Sequence, residues 1–199
     1  MLQSDTSRLL TYYKQALAEY GDHDARSVHW SSEENQKVRF LILSQIANLN
    51  NTSVLDVGSG LGDLYTFLLS LHIHTKYTGI DIVPDFIARA KEQSPSLNFE
   101  CKDIFAVDTQ YDYVLASGAM SFKVKDNQAY YFSMIKKMYS LAKKGLAFNM
   151  LNYESHINDE TYASYKPEEV AEFCKTFCPN VQIIIGYLPQ DFTLYLYKE

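Results

Sequence analysis

No run of apolar residues in this 199-residue chain approaches the roughly eighteen that a membrane-spanning helix needs, which argues against such a segment. The amino-terminal stretch also lacks a signal-peptide core, because Thr11, Lys14 and Gln15 interrupt Leu9, Leu10, Tyr13 and Leu17. A cytoplasmic protein without a membrane partner is therefore expected. Cysteine is scarce. Cys101, Cys174 and Cys178 make an odd count with no Cys-x-x-Cys pair, so they read as free, mostly buried thiols, with neither a disulfide framework nor a metal site. Basic charge is also short: 18 Lys and Arg face 24 Asp and Glu, and the net charge of −6 argues against a broad phosphate-binding surface and a nucleic-acid partner. No internal repeat or low-complexity segment occurs. With 47% hydrophobic residues, the length suits one domain over 1–199.

What the chain does have is a run of apolar residues, Val54 to Val57, that contains Asp56 and opens into Gly58-Ser59-Gly60-Leu61-Gly62-Asp63. The run suits a buried parallel strand, and the glycines allow a tight turn in which backbone approaches a ligand. Leu64, Phe67, Leu68 and Leu71 then recur at helical spacing. A nucleotide P-loop would end in Gly-Lys-Ser/Thr, whereas Asp63 follows Gly62; a dinucleotide fingerprint would place its third glycine one residue later. The acidic flanks agree. Two unit charges about 5 Å apart at an effective dielectric near 20 interact by roughly 3 kcal/mol, so Asp56 and Asp63 suit a cation better than a phosphate.

The acidic-x-Gly-x-Gly-x-Gly pattern of residues 56–62 resembles the first motif of the class I S-adenosylmethionine (SAM) dependent methyltransferases. Gly79-Ile80-Asp81, Cys101-Lys102-Asp103-Ile104 and Tyr111-Asp112-Tyr113-Val114-Leu115-Ala116 follow at that family's spacings, covering residues 52 to about 150. The resemblance implies a Rossmann-like three-layer α/β sandwich with a seven-stranded, mostly parallel sheet and an antiparallel carboxy-terminal hairpin. It implies SAM as cofactor and S-adenosylhomocysteine as product. Asp56, Gly58, Ser59, Gly60 and Gly62 would form the cofactor turn, and Asp81 with Ile82 would meet the ribose. Asp103 would face the adenine amino group with the Ile104 amide near the ring, and Ser117 would lie below the methionine part or face the substrate. Taken singly, Asp81 could instead cap a helix over 84–94, and Asp103 a short helical turn.

Elementary geometry reaches the same arrangement. A helix over 62–73 spans about 18 Å, the length of a five- or six-residue strand, and returns the chain for a second parallel strand. Right-handed crossovers then bring Asp81 beside the Gly58 turn at the carboxyl edge of the sheet. Strands are expected near 52–57, 76–81, 97–101, 111–116, 145–151, 181–187 and 191–198. The last two should form a hairpin around Leu188-Pro189-Gln190. Gly145 should close a helix over 126–144, with Lys143 and Lys144 favouring its negative end.

Before the first strand, helices are expected over 5–20 and 32–48. Ser31 and Glu34 would form a capping box for the second, with Val38, Leu41, Ile42 and Ile46 as its apolar face. Residues 1–50 read as a helical lid on a SAM-binding core over 51–199, with Trp30, Gln36 and Arg39 either lining it or serving as a packing anchor and a surface ion pair. The long segment 151–166 reads as a substrate loop. Substrate contact would fall to Trp30, Met120, Phe122, Asn149, Tyr153 and Tyr162. His156 is the candidate general base, with a plain solvent-facing histidine as the alternative.

The acceptor motifs of several methylation chemistries are missing. After the fourth strand stands Ser117-Gly118-Ala119-Met120 in place of Asn-Pro-Pro-Tyr or Asp-Pro-Pro-Tyr, and no Pro-Cys nucleophile occurs. Residues 151–169 carry a local charge of −4. A small-molecule acceptor is therefore expected, ahead of a protein or RNA acceptor or a SAM-binding sensor without transferase activity. Oligomeric state is left open by the sequence.

Overall fold

The computed structural model describes residues 1–21, 24–28, 32–155 and 160–198. The first strands alternate with helices: β1 (Ser53–Val57), α3 (Asp63–Ser70), β2 (Lys76–Asp81), α4 (Pro84–Gln93), β3 (Asn98–Cys101) and β4 (Tyr111–Ala116). They are preceded by α1 (Gln3–Tyr20) and α2 (Glu33–Ser44). After β4 come α5 (Asn127–Leu141), β5 (Ala142–Asn152), the two-residue β6 (Ser164–Tyr165), α6 (Pro167–Lys175), β7 (Asn180–Ile184) and β8 (Asp191–Tyr197).

The strands lie in the order β3-β2-β1-β4-β5-β8-β7, with β6 attached to β5. The seven expected strands are thus all present, and β6 is an addition. The first five pair in parallel, whereas β8 runs antiparallel between β5 and β7. Helices on both faces explain why β1 is apolar on both: Val54 and Leu55 are fully buried and Val57 nearly so. One core draws on Leu9, Met134, Ile135 and Val170 from α1, α5 and α6. The other draws on Phe40, Leu43, Leu64, Leu68 and Ile87 from α2, α3 and α4.

Three local expectations are corrected. Gly145 does not end a helix. α5 stops at Leu141 and β5 begins at the next residue, so Gly145, Lys143 and Lys144 are strand residues and Lys144 Nζ pairs with Asp112 at 3.0 Å. A Cβ on Gly145 would stand 3.0 Å from Ile46 Cδ1, so the glycine allows the segment after α2 to press on the sheet. The cap of α2 is Ser32, whose Oγ accepts from the Asn35 amide at 3.2 Å, while Ser31 lies outside the described residues. The buried stripe of α2 is Gln36, Arg39, Phe40 and Leu43; Leu41, expected inside, is 40% exposed. Tyr195 Oη donates to the Ile42 carbonyl and fixes this helix to β8.

Gly79 in β2 is pressed from two sides: an added Cβ would meet two Phe99 ring carbons at 2.6 and 2.7 Å and Ser59 Cβ at 2.9 Å. Gly79→Ala should therefore cost about 1–3 kcal/mol, the usual penalty for overpacking, read as a lower urea midpoint at unchanged slope. An unshifted midpoint would mean that Phe99 and the turn at Ser59 yield freely.

Candidate functional site

At the carboxyl ends of the parallel strands the chain forms a partly open cavity of about 520 Å³. The turn after β1 forms its floor. Gly58, Gly60 and Gly62 adopt φ of +74°, +53° and +89°, a region that side chains disfavour. Gly58 is constrained by space as well, since a Cβ there would lie 2.6 Å from Ala119 Cβ. The Gly58 and Ser59 amides both donate to the Ile80 carbonyl, at 2.9 and 3.0 Å, and lock the turn to β2. Gly62 starts α3 and stands behind the turn against Phe99.

Asp81, at the end of β2, uses one carboxylate oxygen to accept from the Gly60 amide and the other to accept from Val83, each at 2.9 Å. It therefore organises both the turn and the approach to α4, and it also lines the cavity beside Ile82. Burial raises its pKa, and the backbone amides of Val83, Gly60 and Ile82 oppose that rise. A carboxylate has about four lone-pair sites, so these bonds leave capacity for a ligand. Asp103 accepts from the Phe105 amide at 3.0 Å, capping a short 3-10 turn, and lines the cavity with Ile104. Asp103 thus combines its capping role with a wall position, whereas α4 is capped by Val83 without a side-chain hydrogen bond, so Asp81 does not cap that helix.

Asp56 is buried beneath the turn, 2% exposed, and accepts a hydrogen bond from Tyr77 Oη at 2.5 Å. Burial pushes its pKa up to about 7, Tyr77 opposes the shift, and the charges of Asp81 and Asp63 add to it. Ser59 Oγ is buried at the same place and meets no hydrogen-bond partner among the described residues. Further along the edge, Asn149 accepts from the Gly118 amide at 2.8 Å and donates to Ser117 Oγ at 3.2 Å, and both side chains face the cavity.

Of the residues assigned to substrate contact, Phe122, Asn149 and Tyr162 lie on the wall. Met120 does not: its side chain is fully buried in the core, where its apolarity takes it. Tyr153 is 42% exposed on a 3-10 turn away from the cavity. Trp30 and His156 lie outside the described residues.

The sequence places a helical lid over residues 1–50 but does not disclose which side chains line the roof. α1 contributes Leu9, Tyr13 and Tyr20 to the wall, and α5 contributes Tyr130, Tyr131 and Met134. Tyr13 is half-buried, and burial together with the nearby Asp81 charge pushes its phenol pKa up, keeping it neutral. Tyr12 and Tyr162 share a hydrogen bond of 2.8 Å between hydroxyls, and Asp5 accepts from the Lys125 amide at 3.2 Å, so α1 is fastened at two points. The spacing of Leu9, Tyr13 and Leu17 is visible in the sequence, but an apolar stripe does not say whether it covers a core or a cavity.

Arg39 and Asp191 form a buried ion pair on the same wall, their side chains 4% and 1% exposed, with Nε at 2.8 Å and Nη2 at 2.5 Å from Oδ2. Gln36, one helical turn before Arg39, donates to Asp63 at 3.0 Å. Both readings of Arg39 are thus partly realised, but its ion pair is interior. Among the described residues no cluster of His, Cys, Asp and Glu could hold a metal ion, and no helix is long and apolar enough to cross a membrane.

A family model described as a methyltransferase domain matches residues 48–191. Rv1506c of Mycobacterium tuberculosis, itself provisionally named a methyltransferase, is 27% identical over 157 residues, covering 73% of this chain and 93% of its own length. Among solved structures, the magnesium protoporphyrin IX methyltransferase ChlM of Synechocystis, with S-adenosylhomocysteine bound, is similar at a TM-score of 0.70 and 16% identity, covering 98% of this chain and 100% of that one. The N-methyltransferase NodS of Bradyrhizobium japonicum, in complex with S-adenosylhomocysteine, is similar at 0.70 and 17%, covering 94% and 97%. At such identities the structures share the fold.

Proposed function

Because this chain belongs to the methyltransferase-domain family, we propose that it moves a methyl group from SAM to a small-molecule acceptor. The observation that carries the reading is the joint between Asp81 and the Gly60 amide, which puts a carboxylate and a glycine turn on one wall of the cavity. A volume of about 520 Å³ lies within the usual 300–1,000 Å³ of small-molecule sites. The donor set fits SAM: carboxylates at 56, 63 and 81 suit a cation, and the buried Ser59 hydroxyl, without a partner among the described residues, awaits one.

In this reading Asp56, Gly58, Ser59 and Gly60 cradle the cofactor, and Gly62 shapes the turn from behind. Asp81 and Ile82 hold the ribose, Asp103 and Ile104 border the adenine, and Ser117 and Asn149 face the reacting end. When bound, SAM supplies a methyl group on a cationic sulfur that leaves as neutral sulfide. The chain's own part is alignment and exclusion of water. Such alignment reaches effective molarities of about 10⁵ M or more, and an amine that arrives deprotonated needs no further base. Residues 1–50 act as a lid over a core formed by residues 51–199, with Tyr13 and Phe122 closing the chamber above the acceptor. The partial cover given by Leu9, Tyr13 and Tyr20 of α1 favours an acceptor small enough to lie beneath it.

Incubation of the protein with a metabolite extract and methyl-labelled SAM, followed by mass spectrometry, should yield a labelled small molecule. SAM binding without label transfer to small molecules, protein or RNA would reduce the chain to a binding protein. Asp81→Ala should weaken SAM binding by about 1.5–3 kcal/mol, the range for hydrogen bonds to a charged group. Unchanged affinity by calorimetry in the folded variant would remove Asp81 from the ribose role.

A further inference from the structure

Part of the cavity wall is aromatic and apolar. Leu9 and Tyr13 of α1, Phe122 after β4, Tyr131 and Met134 of α5, and Tyr162 before β6 all contribute to it. The rings are held in place. Phe122 and Tyr162 form an antiparallel bridge, flanked by bonds from the Ala163 amide to the Ser121 carbonyl at 2.7 Å and from the Lys123 amide to the Thr161 carbonyl at 2.8 Å. The Tyr162 hydroxyl is bonded to Tyr12, whose ring lies 5.4 Å from that of Phe122. Tyr13 meets Phe86 edge-on at 5.5 Å, and Tyr131 Oη donates to the Phe122 carbonyl at 2.5 Å. We propose that this wall receives the methyl acceptor and that the acceptor is an aromatic amine, its ring lying against Tyr13, Phe122 and Tyr162. This rests on SAM being the methyl donor.

Shape selects the ring. A flat aromatic molecule gains from edge and face contacts with fixed rings beyond the area it buries, a gain that a saturated ring does not share. Charge selects the nitrogen. Carboxylates at 56, 63, 81 and 103 line the cavity, whereas its three cations among the described residues are each paired, Arg26 with Asp24, Arg39 with Asp191 and Lys102 with Glu100. Such a field opposes a nucleophile that must first become an anion, as a phenol must, and favours one that turns cationic as it reacts. An aromatic amine shares its lone pair with the ring, so it arrives neutral and needs no base to release it. In the step, that lone pair forms the bond to the methyl carbon while the carbon–sulfur bond breaks with its electron pair passing to sulfur. The product nitrogen, now cationic, loses a proton to water at the open side of the cavity. Tyr13, kept neutral by burial and by the Asp81 charge, offers its oxygen as acceptor for an N–H of the amine without taking the proton.

Three probes on one carbon skeleton separate these contributions: 2-aminonaphthalene, 2-hydroxynaphthalene and the saturated amine 2-aminodecalin. Each is titrated by nuclear magnetic resonance into protein saturated with S-adenosylhomocysteine, and each is incubated with the protein and methyl-labelled SAM. In the wild type 2-aminonaphthalene should bind about tenfold tighter than 2-aminodecalin, a factor near the upper end of aromatic pairing, and should be the probe that gains label, on its nitrogen. In Tyr13→Leu the preference for the aromatic amine should fall below about threefold, and in Tyr13→Phe, which keeps the ring, it should persist. Tyr162→Leu, on a different segment, serves as a second variant with the same expected fall. A wild-type preference below about threefold, or an undiminished preference in both folded leucine variants, overturns the assignment while leaving SAM as donor. Label on 2-hydroxynaphthalene, on 2-aminodecalin or on none of the three overturns it likewise. Failure of S-adenosylhomocysteine to bind the wild type overturns the assignment and the SAM reading together.

Discussion

Arg39→Ala should destabilise the folded protein by about 3–5 kcal/mol, because it leaves the Asp191 carboxylate, 1% exposed, without its cation. Against the 5–15 kcal/mol total usual for a domain, this is a large fraction. The cost belongs to the stranded charge and not to lost packing alone. A second substitution, Asp191→Leu, should therefore recover most of the loss, a strongly non-additive result for residues in direct contact. Urea denaturation of the wild type, both single variants and the double variant supplies the full cycle. A single-variant cost below about 1 kcal/mol, the level of exposed ion pairs, would mean that water reaches Asp191.

Replacing Asp56 by Asn should change the pH dependence of stability more than any surface substitution. Burial lifts the folded pKa of Asp56 from 3.8 to about 7, whereas the unfolded chain titrates near 3.9. Between those values the folded state keeps a proton that the unfolded state has released. Stability from this group is therefore intact below about pH 4 and falls as pH rises toward 7. Across that interval the loss reaches on the order of 4 kcal/mol, at about 1.4 kcal/mol per pH unit. Asn keeps an acceptor for Tyr77 Oη but cannot ionise, so Asp56→Asn should gain on the wild type steadily from pH 4 to pH 7 and level off above it. Parallel stability curves for the two proteins would contradict a proton held on Asp56. A cationic ligand over the turn favours the ionised carboxylate, so bound SAM should flatten the wild-type curve.

Much of this arrangement is legible in the sequence because it is local. Residues 54–63 carry strand, turn and helix start within ten positions, and Asp81 at the end of β2 and Asp103 just past the end of β3 follow at intervals set by the intervening helices. The misreadings share a physical cause. On α2, the buried stripe includes polar Gln36 and Arg39, so a search for apolar periodicity selects Leu41, a partly exposed residue. At Gly145, a glycine after an apolar helical stretch resembles a cap, yet it serves close packing against Ile46. The roof and far wall depend on pairs distant in sequence, Arg39 with Asp191 and Tyr12 with Tyr162, separated by 152 and 150 positions. No local periodicity encodes such meetings. Met120 shows the converse: its loop position suggests a wall residue, but its side chain belongs to the core.

β8 is last among the strands in chain order yet interior in the sheet, held by β5 on one side and β7 on the other. Until residues 191–197 arrive, β5 and β7 both present unpaired edges, the kind of surface on which chains associate wrongly. β7 pairs with β8 locally, from Ile184 opposite Thr193, whereas β5 meets β8 across a longer stretch, from Leu151 opposite Asp191 to Gly145 opposite Tyr197. That same strand delivers Asp191. The strand that completes the sheet therefore also completes the cavity wall.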